Sequence, residues 1–320
     1  MKAAIRSRYG PPEVLRIEEV AIPTLKENEV LIRVRAATVN RSDCHVLTGL
    51  PLFMRLLTGL FKPRLATTGS DFAGTVEATG SNVKTFKVGD RVMGFEGGLG
   101  AGSHAQYLAF PETGGIVNIP ESLSYEEAAA CMEGAWYAFS TIDYLKPKAG
   151  QKALVYGATG AIGCAFVQFL KFYDVSITAV CPTENDVLIK SLGAERIIDY
   201  RTEGFTQDKE RYDYVFDAVG KASFYKCKSV LRDNGLYTAT GGFINIIPIL
   251  TTALFRGKKA LFIMPPRDIK AGLNFIKELI EKGKFRGVVD RTYPLEKIAD
   301  AFTFVASGQK IGNVIIKMDS

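Results

Sequence analysis

Between Ala153 and Phe172 the chain passes from a short apolar run, Ala153-Leu-Val-Tyr156, into Gly157-Ala-Thr-Gly160-Ala-Ile-Gly163 and on into an apolar segment of helical period. A strand that feeds a glycine turn opening a helix belongs in a parallel sheet covered by helices on both faces. The missing Cβ atoms let backbone N–H groups come close to an anion, and the helix N-terminus adds partial positive charge. Gly157, Ala158, Thr159, Gly160, Ala161, Ile162 and Gly163 are therefore candidates for cradling the pyrophosphate of a dinucleotide. The bland alternative is a tight strand-to-helix turn without a ligand.

The residues beyond the loop support a doubly wound sheet. Short strands are expected at Ser176 to Val180, Arg196 to Asp199, Tyr214 to Ala218 and Gly235 to Thr240, with a helix ending near Leu192 between the first two. Upstream, Lys2 to about Pro120 reads as β-rich, with an alternating β-branched run at Glu29 to Ala36, another at Gly74 to Thr79, and glycine-marked turns. Ser124 and Glu127 form a capping-box pattern that opens an Ala-rich helix through about Tyr144. The tail predicts helices at Ile269 to Lys282 and Leu295 to Ser307, a strand at Val288 to Tyr293 and a final strand at Asn313 to Lys317. The organisation expected is a β-rich domain over 1–122, a dinucleotide-binding domain over 123–264, and a segment over 265–320 that returns to the first.

Length and composition narrow the function classes. At 320 residues and 47% hydrophobic, the chain is long enough for two cores. Its charge of +6 comes from basic residues scattered among acidic ones, so a solvated face is expected rather than a nucleic-acid surface. Five separated cysteines without a Cys-x-x-Cys pair argue against a disulfide framework and for a reducing compartment, the cytoplasm. No secretory leader is evident, and the longest apolar stretch, Gly242 to Phe255, is too short and too interrupted to span a membrane.

In NAD-binding domains an acidic residue at the tip of the second strand holds the ribose 2′-hydroxyl. Here that tip reads Val180-Cys181-Pro182-Thr183, with no carboxylate. NADPH is expected, with Cys181, Thr183 and Tyr200 near the 2′-phosphate. Glu184 in the same loop, with no Arg or Lys beside it in sequence, speaks for NADH.

Taken together, Met1-Lys-Ala-Ala, Ala37-Thr-Val-Asn-Arg-Ser-Asp43, Gly69-Ser-Asp-Phe-Ala-Gly74, Phe86-Lys-Val-Gly-Asp-Arg-Val92, the glycine loop, Ser191-Leu-Gly-Ala194 and Gly308 to Ile315 resemble the zinc-independent quinone oxidoreductases and enone reductases of the medium-chain dehydrogenase/reductase superfamily. The resemblance covers nearly the whole chain. It implies a GroES-like catalytic domain beside a Rossmann domain, and a homodimer, which a strand around Lys259 to Met264 could pair across a two-fold axis. Where zinc-dependent members carry a Cys and a His as metal ligands, this chain has Asn40 and Ser70, and the four-cysteine structural lobe is missing. No metal is expected, since zinc needs several N or S ligands converging and the adjacent Cys44 and His45 diverge.

The same resemblance places Asn40 and Asp43 near the nicotinamide ribose and the substrate, with Asn40 able to donate to an acceptor oxygen. A turn-forming residue at a strand end is the other reading of Asn40. Ala218, Val219, Gly220, Gly242 and Phe243 are expected on the cofactor side, as carboxyl ends of parallel strands are. Gly312 and Asn313 match the family's last nicotinamide-side contact. Trp136 stands where relatives have a small hydroxylated residue, and either narrows the nicotinamide pocket or fills an interface.

The expected reaction is hydride transfer from NADPH to a quinone or an α,β-unsaturated carbonyl, acceptors that need no Lewis acid. Tyr107, Cys44, His104 or solvent is left to supply the second proton. The apolar segment Pro51 to Phe61, with Phe243 to Phe255, either lines a channel for a large flat acceptor or packs in a core or dimer contact. A zinc-free alcohol dehydrogenase and a non-catalytic NADPH-binding protein with a structural or nucleic-acid role remain as alternatives.

Overall fold

In the computed structural model, which describes residues 1–240, 245–253, 256–263 and 268–318, strand Glu29–Val39 buries alternate residues along its first half and then every residue to its end. That change follows from its neighbours. It pairs antiparallel with Asp71–Thr79 on one side, and on the other with Tyr107–Pro111 and then with the C-terminal strand Asn313–Lys317. A strand with partners along both edges and packing on both faces needs Val and Ala rather than alternating polar residues. The seven-stranded sheet runs Val289–Pro294, Asn313–Lys317, Glu29–Val39, Asp71–Thr79, Arg91–Phe95, Ile116–Asn118, with Tyr107–Pro111 beside Glu29–Val39. One core serves this sheet, built from Val30, Ile32, Val34, Phe72, Phe302 and Val314 among others.

The chain divides into two compact units, Met1–Trp136 with Arg267–Ser320, and Tyr137–Pro266. The second holds six parallel strands in the order Arg196–Ile198, Ser176–Val180, Lys152–Tyr156, Tyr212–Asp217, Leu231–Ala239, Lys259–Leu261. Chain order reverses between Lys152–Tyr156 and Tyr212–Asp217, and such a switch point opens a crevice at the carboxyl ends of the strands. Helix Ala161–Phe172 buries most of its length, which accounts for its being apolar nearly all round.

The Ala-rich helix is shorter than its sequence predicts. Ser124 accepts from Glu127 N and caps Tyr125–Ala130, but the chain breaks at Cys131 and restarts as Glu133–Leu145. Cys131 N and Met132 N donate to Ala128 O and Ala129 O, tightening the last turn, and the Asn313 side-chain amide takes Ala130 O at 3.0 Å. The last-turn carbonyls of the short helix are thus met by a tighter turn and by a side chain from elsewhere in the chain. Among the described residues, no helix is long and apolar enough to cross a membrane.

Candidate functional site

The glycine loop lies at the switch point of the second unit. Gly157 N and Ala158 N donate to Val180 O, and Cys164 N donates to Gly160 O, so the loop folds back on its sheet before the helix starts. The three glycines serve different ends. Gly157 has φ +78°, a left-handed conformation, and a Cβ there would stand 2.0 Å from Val219 Cγ2. A Cβ at Gly163 would stand 2.2 Å from Gly157 O, so this glycine lets helix and loop pack. A Cβ at Gly160 would meet the chain only at Gly157 O, 3.7 Å away. Packing thus does not require glycine at 160. Gly160 is also the N-cap and offers no side-chain acceptor to the first-turn N–H groups of Ala161, Ile162 and Gly163. Free donors around an open cradle fit a pyrophosphate.

The facing loop is held by one carboxylate. Asp217, fully buried, accepts from Val219 N at 3.0 Å and Gly220 N at 2.8 Å through Oδ1, and from Ala222 N at 2.8 Å and the Tyr237 hydroxyl at 3.1 Å through Oδ2. Ala218 N donates to Tyr156 O at 3.0 Å. The segment Ala218 to Gly220 is thereby fixed beside the glycine loop, within reach of Gly157.

At the tip of Ser176–Val180 the fold supplies a cation that is remote in sequence. Arg201 donates to Glu184 Oε1 at 3.0 Å and Oε2 at 2.5 Å, and to Asp199 Oδ2 at 2.6 Å. Glu184 therefore has an arginine beside it, contrary to the reading of its own loop. The pair of carboxylates holds the guanidinium firmly protonated, chiefly through hydrogen bonds. Thr183 donates to Asp199 Oδ2 from both its N–H and its hydroxyl, each at 2.9 Å. Tyr200 is half exposed at the same corner, while Cys181 is buried, its thiol pushed up to about 11 by burial.

In the first unit, Asn40 and Asp43 come together with residues that sequence reasoning left out. Asn40 caps helix Arg41–Thr48, and its N–H donates to Asp43 Oδ2 at 2.8 Å. Its side-chain amide is directed inward, to Thr38 Oγ1, to Asp71 Oδ2 at 3.3 Å and to Glu133 Oε2 at 3.2 Å. Glu133 also accepts from Ser70 Oγ at 2.6 Å and from Ser42 Oγ. Asp71 accepts from Thr38 N at 2.8 Å and from the Thr38 hydroxyl. Three carboxyls are thus buried in one network. Burial first, then the repulsion of Glu133, raises Asp43 well above the carboxylate range and Asp71 to about 7; burial also raises Glu133. Carboxyls this close titrate as a set rather than singly.

Ser70, Asn40 and Glu133 offer a hydroxyl, a neutral carboxamide and one carboxylate, already bonded to one another, with no thiolate or imidazole among them. That donor set does not fit zinc. Among the described residues no group of three or more His, Cys, Asp or Glu side chains is arranged to hold a metal ion.

The proton-donor candidates separate clearly. His104 is fully buried, with Nε2 against Thr38 O at 2.9 Å and Nδ1 against Thr68 Oγ1 at 2.8 Å, and burial pushes it down to about 4. It is a neutral, fixed ring. Cys44 is buried and pushed up to about 12. Tyr107 is half-buried on its strand. The visible signal for Glu133 is that it stands as the one charge between Glu127 and Asp143, in a stretch otherwise of Ala, Gly, Ser, Thr, Cys, Met, Ile and aromatic residues.

Gly312 has φ +72°, and a Cβ there would stand 2.3 Å from Val288 O. Asn313 donates from Nδ2 to Ala130 O and Val288 O, both at 3.0 Å. Both residues thus have packing duties inside the first unit. Trp136 is buried in the first turn of Glu133–Leu145. The side chains of the segment from Leu50 to Leu65 are largely exposed, which rules out a core role for it. Gly242 and Phe243 lie outside the described residues.

Two family models match the chain, the alcohol dehydrogenase GroES-like domain over residues 26–121 and a zinc-binding dehydrogenase over residues 192–316. A 2-methylene-furan-3-one reductase of Solanum lycopersicum is 32% identical over 99% of this chain and 79% of its own length. The quinone oxidoreductase of Homo sapiens is 30% identical over 96% of this chain and 94% of its own. Among solved structures, the quinone oxidoreductase from Coxiella burnetii superposes with a TM-score of 0.87 at 24% identity, over 100% of this chain and 99% of that one. The Escherichia coli quinone oxidoreductase complexed with NADPH gives 0.83 at 21%, over 99% and 100%.

Proposed function

Because the chain belongs to the zinc-independent quinone oxidoreductase branch of the medium-chain dehydrogenase/reductase superfamily, we propose that it reduces a quinone or an α,β-unsaturated carbonyl with NADPH. The observation that carries this reading is the open cradle at Gly160 at a topological switch point. A bound nicotinamide cofactor would supply the hydride. The loop Gly157 to Gly163 holds its pyrophosphate through the first-turn N–H groups of Ala161, Ile162 and Gly163, those of Gly157, Ala158 and Gly160 being taken within the loop and its sheet, and Ala218 to Gly220 flank it. Asn40 and Asp43 serve the acceptor side. The inward turn of the Asn40 amide gives it the role of positioning the buried network, with Glu133 and Asp71 as its partners. Electron-poor acceptors suit such a site, because charge that develops on them is delocalised without a metal.

Arg201, beside Thr183 and Tyr200, supports NADPH over NADH, since a guanidinium can bind a phosphate bidentately. Glu184 and Asp199 compete for it. NADPH preference is expected to fall in Arg201→Ala and to rise in Glu184→Gln, read as the ratio of kcat/KM for the two cofactors.

We also place the protein in the cytoplasm as a homodimer. Its five cysteines are free and buried, as a reducing compartment allows. Strand Lys259–Leu261 ends its sheet, with Ile246, Ile247, Leu250 and Phe262 exposed in the same unit. Sedimentation velocity of the wild type and of Ile247→Lys tests the dimer.

The test of the reaction is NADPH oxidation by the purified, chelator-treated protein against a panel of quinones and enones, with NADH and a simple ketone as controls. Acceptor-dependent turnover that survives chelation and prefers NADPH is the expected result. NADPH binding without turnover would overturn the reading in favour of a non-catalytic cofactor-binding protein, and turnover of the ketone alone would favour the zinc-free alcohol dehydrogenase.

A further inference from the structure

From Gly49 to Ser70 the chain contains no acidic residue and three basic ones, Arg55, Lys62 and Arg64. The same segment carries Leu50, Leu52, Phe53, Leu56, Leu57, Leu60, Phe61 and Leu65, all among the exposed large apolar side chains, with Phe61 at 90% exposure. An apolar concentration of this kind on the surface marks a contact with something outside the molecule. The segment is also built to stay there. The Tyr9 hydroxyl bonds Thr58 Oγ1 at 2.8 Å and Gly59 O at 2.6 Å, the Arg55 guanidinium lies over the Tyr9 ring, and Arg64 N closes the turn on Thr58 O at 2.8 Å. Thr58 and Gly59 are buried, so the inner side is anchored and the leucines and phenylalanines project. A Cβ at Gly59, where φ is +127°, would stand 2.1 Å from Lys62 O, which ties the turn to glycine.

We propose that this lobe docks the protein on an anionic lipid surface, its leucine and phenylalanine side chains entering the boundary of the headgroups while Lys62 and Arg64 meet lipid phosphate or carboxylate. Apolar side chains flanked by cations, without an acid, match the two attractions that hold an interfacial segment at a membrane. A second copy of this chain fits less well, because two such lobes in a symmetric contact bring like charges together. Lys62 and Arg64 are both exposed and form no ion pair among the described residues. The inference does not rest on the proposed reaction, although an acceptor dissolved in lipid would then lie close at hand.

The test is co-sedimentation of the 320-residue protein with phosphatidylcholine vesicles, with and without phosphatidylserine. Binding is expected to need phosphatidylserine, to fall as salt rises, and to drop about fivefold for each cation removed in Lys62→Gln and Arg64→Gln. Leu56→Ser with Phe61→Ser, both exposed and so harmless to folding, is expected to abolish it, with unchanged circular dichroism and melting. Binding equal on both vesicle types, binding that survives the double variant, or no binding at all would overturn the proposal. Sedimentation velocity on the same variants reports the other occupant: loss of self-association without any lipid effect would assign the lobe to a second copy.

Discussion

Replacing Asp217 by Asn isolates what a single buried carboxylate does for the loop Ala218 to Gly220. The two side chains have the same size, but Asn has one acceptor oxygen where Asp has two. With its oxygen toward Val219 N and Gly220 N, its amide faces Ala222 N and the Tyr237 hydroxyl. The hydroxyl can turn its one hydrogen from Asp217 to Ala222 O, also 3.1 Å away, and it still accepts from Asn245 Nδ2 at 3.2 Å. Ala222 N cannot, and a buried N–H left without a partner costs about 1–3 kcal/mol, while two bonds to a charged acceptor become bonds to a neutral one at roughly 0.5–1 kcal/mol each. The sum is about 3 kcal/mol, which for a unit of this size lowers the melting temperature by roughly 6–12 °C. Differential scanning calorimetry gives the first number, and NADPH titration gives the second readout, a weaker Kd as the loop loosens. Asp186→Asn, whose i,i+4 pair with Lys190 is partly exposed at the surface, is the control and should change stability by less than about 0.5 kcal/mol. Equal melting of Asp217→Asn and the wild type would refute the assignment of this carboxylate as the organiser of the loop.

Gly160→Ala should melt with the wild type and bind NADPH at least about tenfold more weakly, because its Cβ would clash with the ligand and not with the chain; Gly163→Ala should lose stability, because its Cβ meets Gly157 O. Calorimetry beside cofactor titration separates the two. Asn313→Ala removes the side-chain donor from Ala130 O and leaves Val288 O with the backbone N–H of Asn313 alone, and should cost about 1–3 kcal/mol in chemical denaturation. His104 is pushed down from 6.5 to about 4 in the fold, so the folded state binds fewer protons than the unfolded one between those values. Stability is then full above the unfolded value and falls as pH drops, by up to about 3 kcal/mol from this group. His104→Gln should flatten that part of the acid limb in urea titrations, and an unchanged slope would refute the linkage.

Elements governed by local period were legible in the sequence. Helix Ala161–Phe172 and strands Ser176–Val180 and Asn313–Lys317 fall where their patterns place them, since apolar runs with glycine or proline punctuation decide them within a few residues. The break at Cys131 was not legible, because the Ala130 carbonyl beside it is met by an amide from Asn313, a partner remote in sequence. The buried network was half legible. Asn40 and Asp43 belong to one short motif, but Asp71, Ser70 and Glu133 join them through the sheet and the start of another helix. Arg201 was missed for the same reason: its loop follows a different strand from the one carrying Glu184, and only the parallel pairing of Arg196–Ile198 with Ser176–Val180 sets them side by side.

The meeting of Gly157 with Val219 restricts the order in which a lineage can change this crevice. Any side chain at 157 collides with the Val219 methyl, and shrinking Val219 alone leaves the left-handed backbone at 157 still unfavourable to everything but glycine. Position 219 is therefore free to vary towards smaller residues, whereas position 157 is closed to single steps and nearly closed to double ones. Neutral drift in the crevice, and any directed-evolution library aimed at its cofactor, should accumulate at the half-exposed Val219 and leave Gly157 untouched.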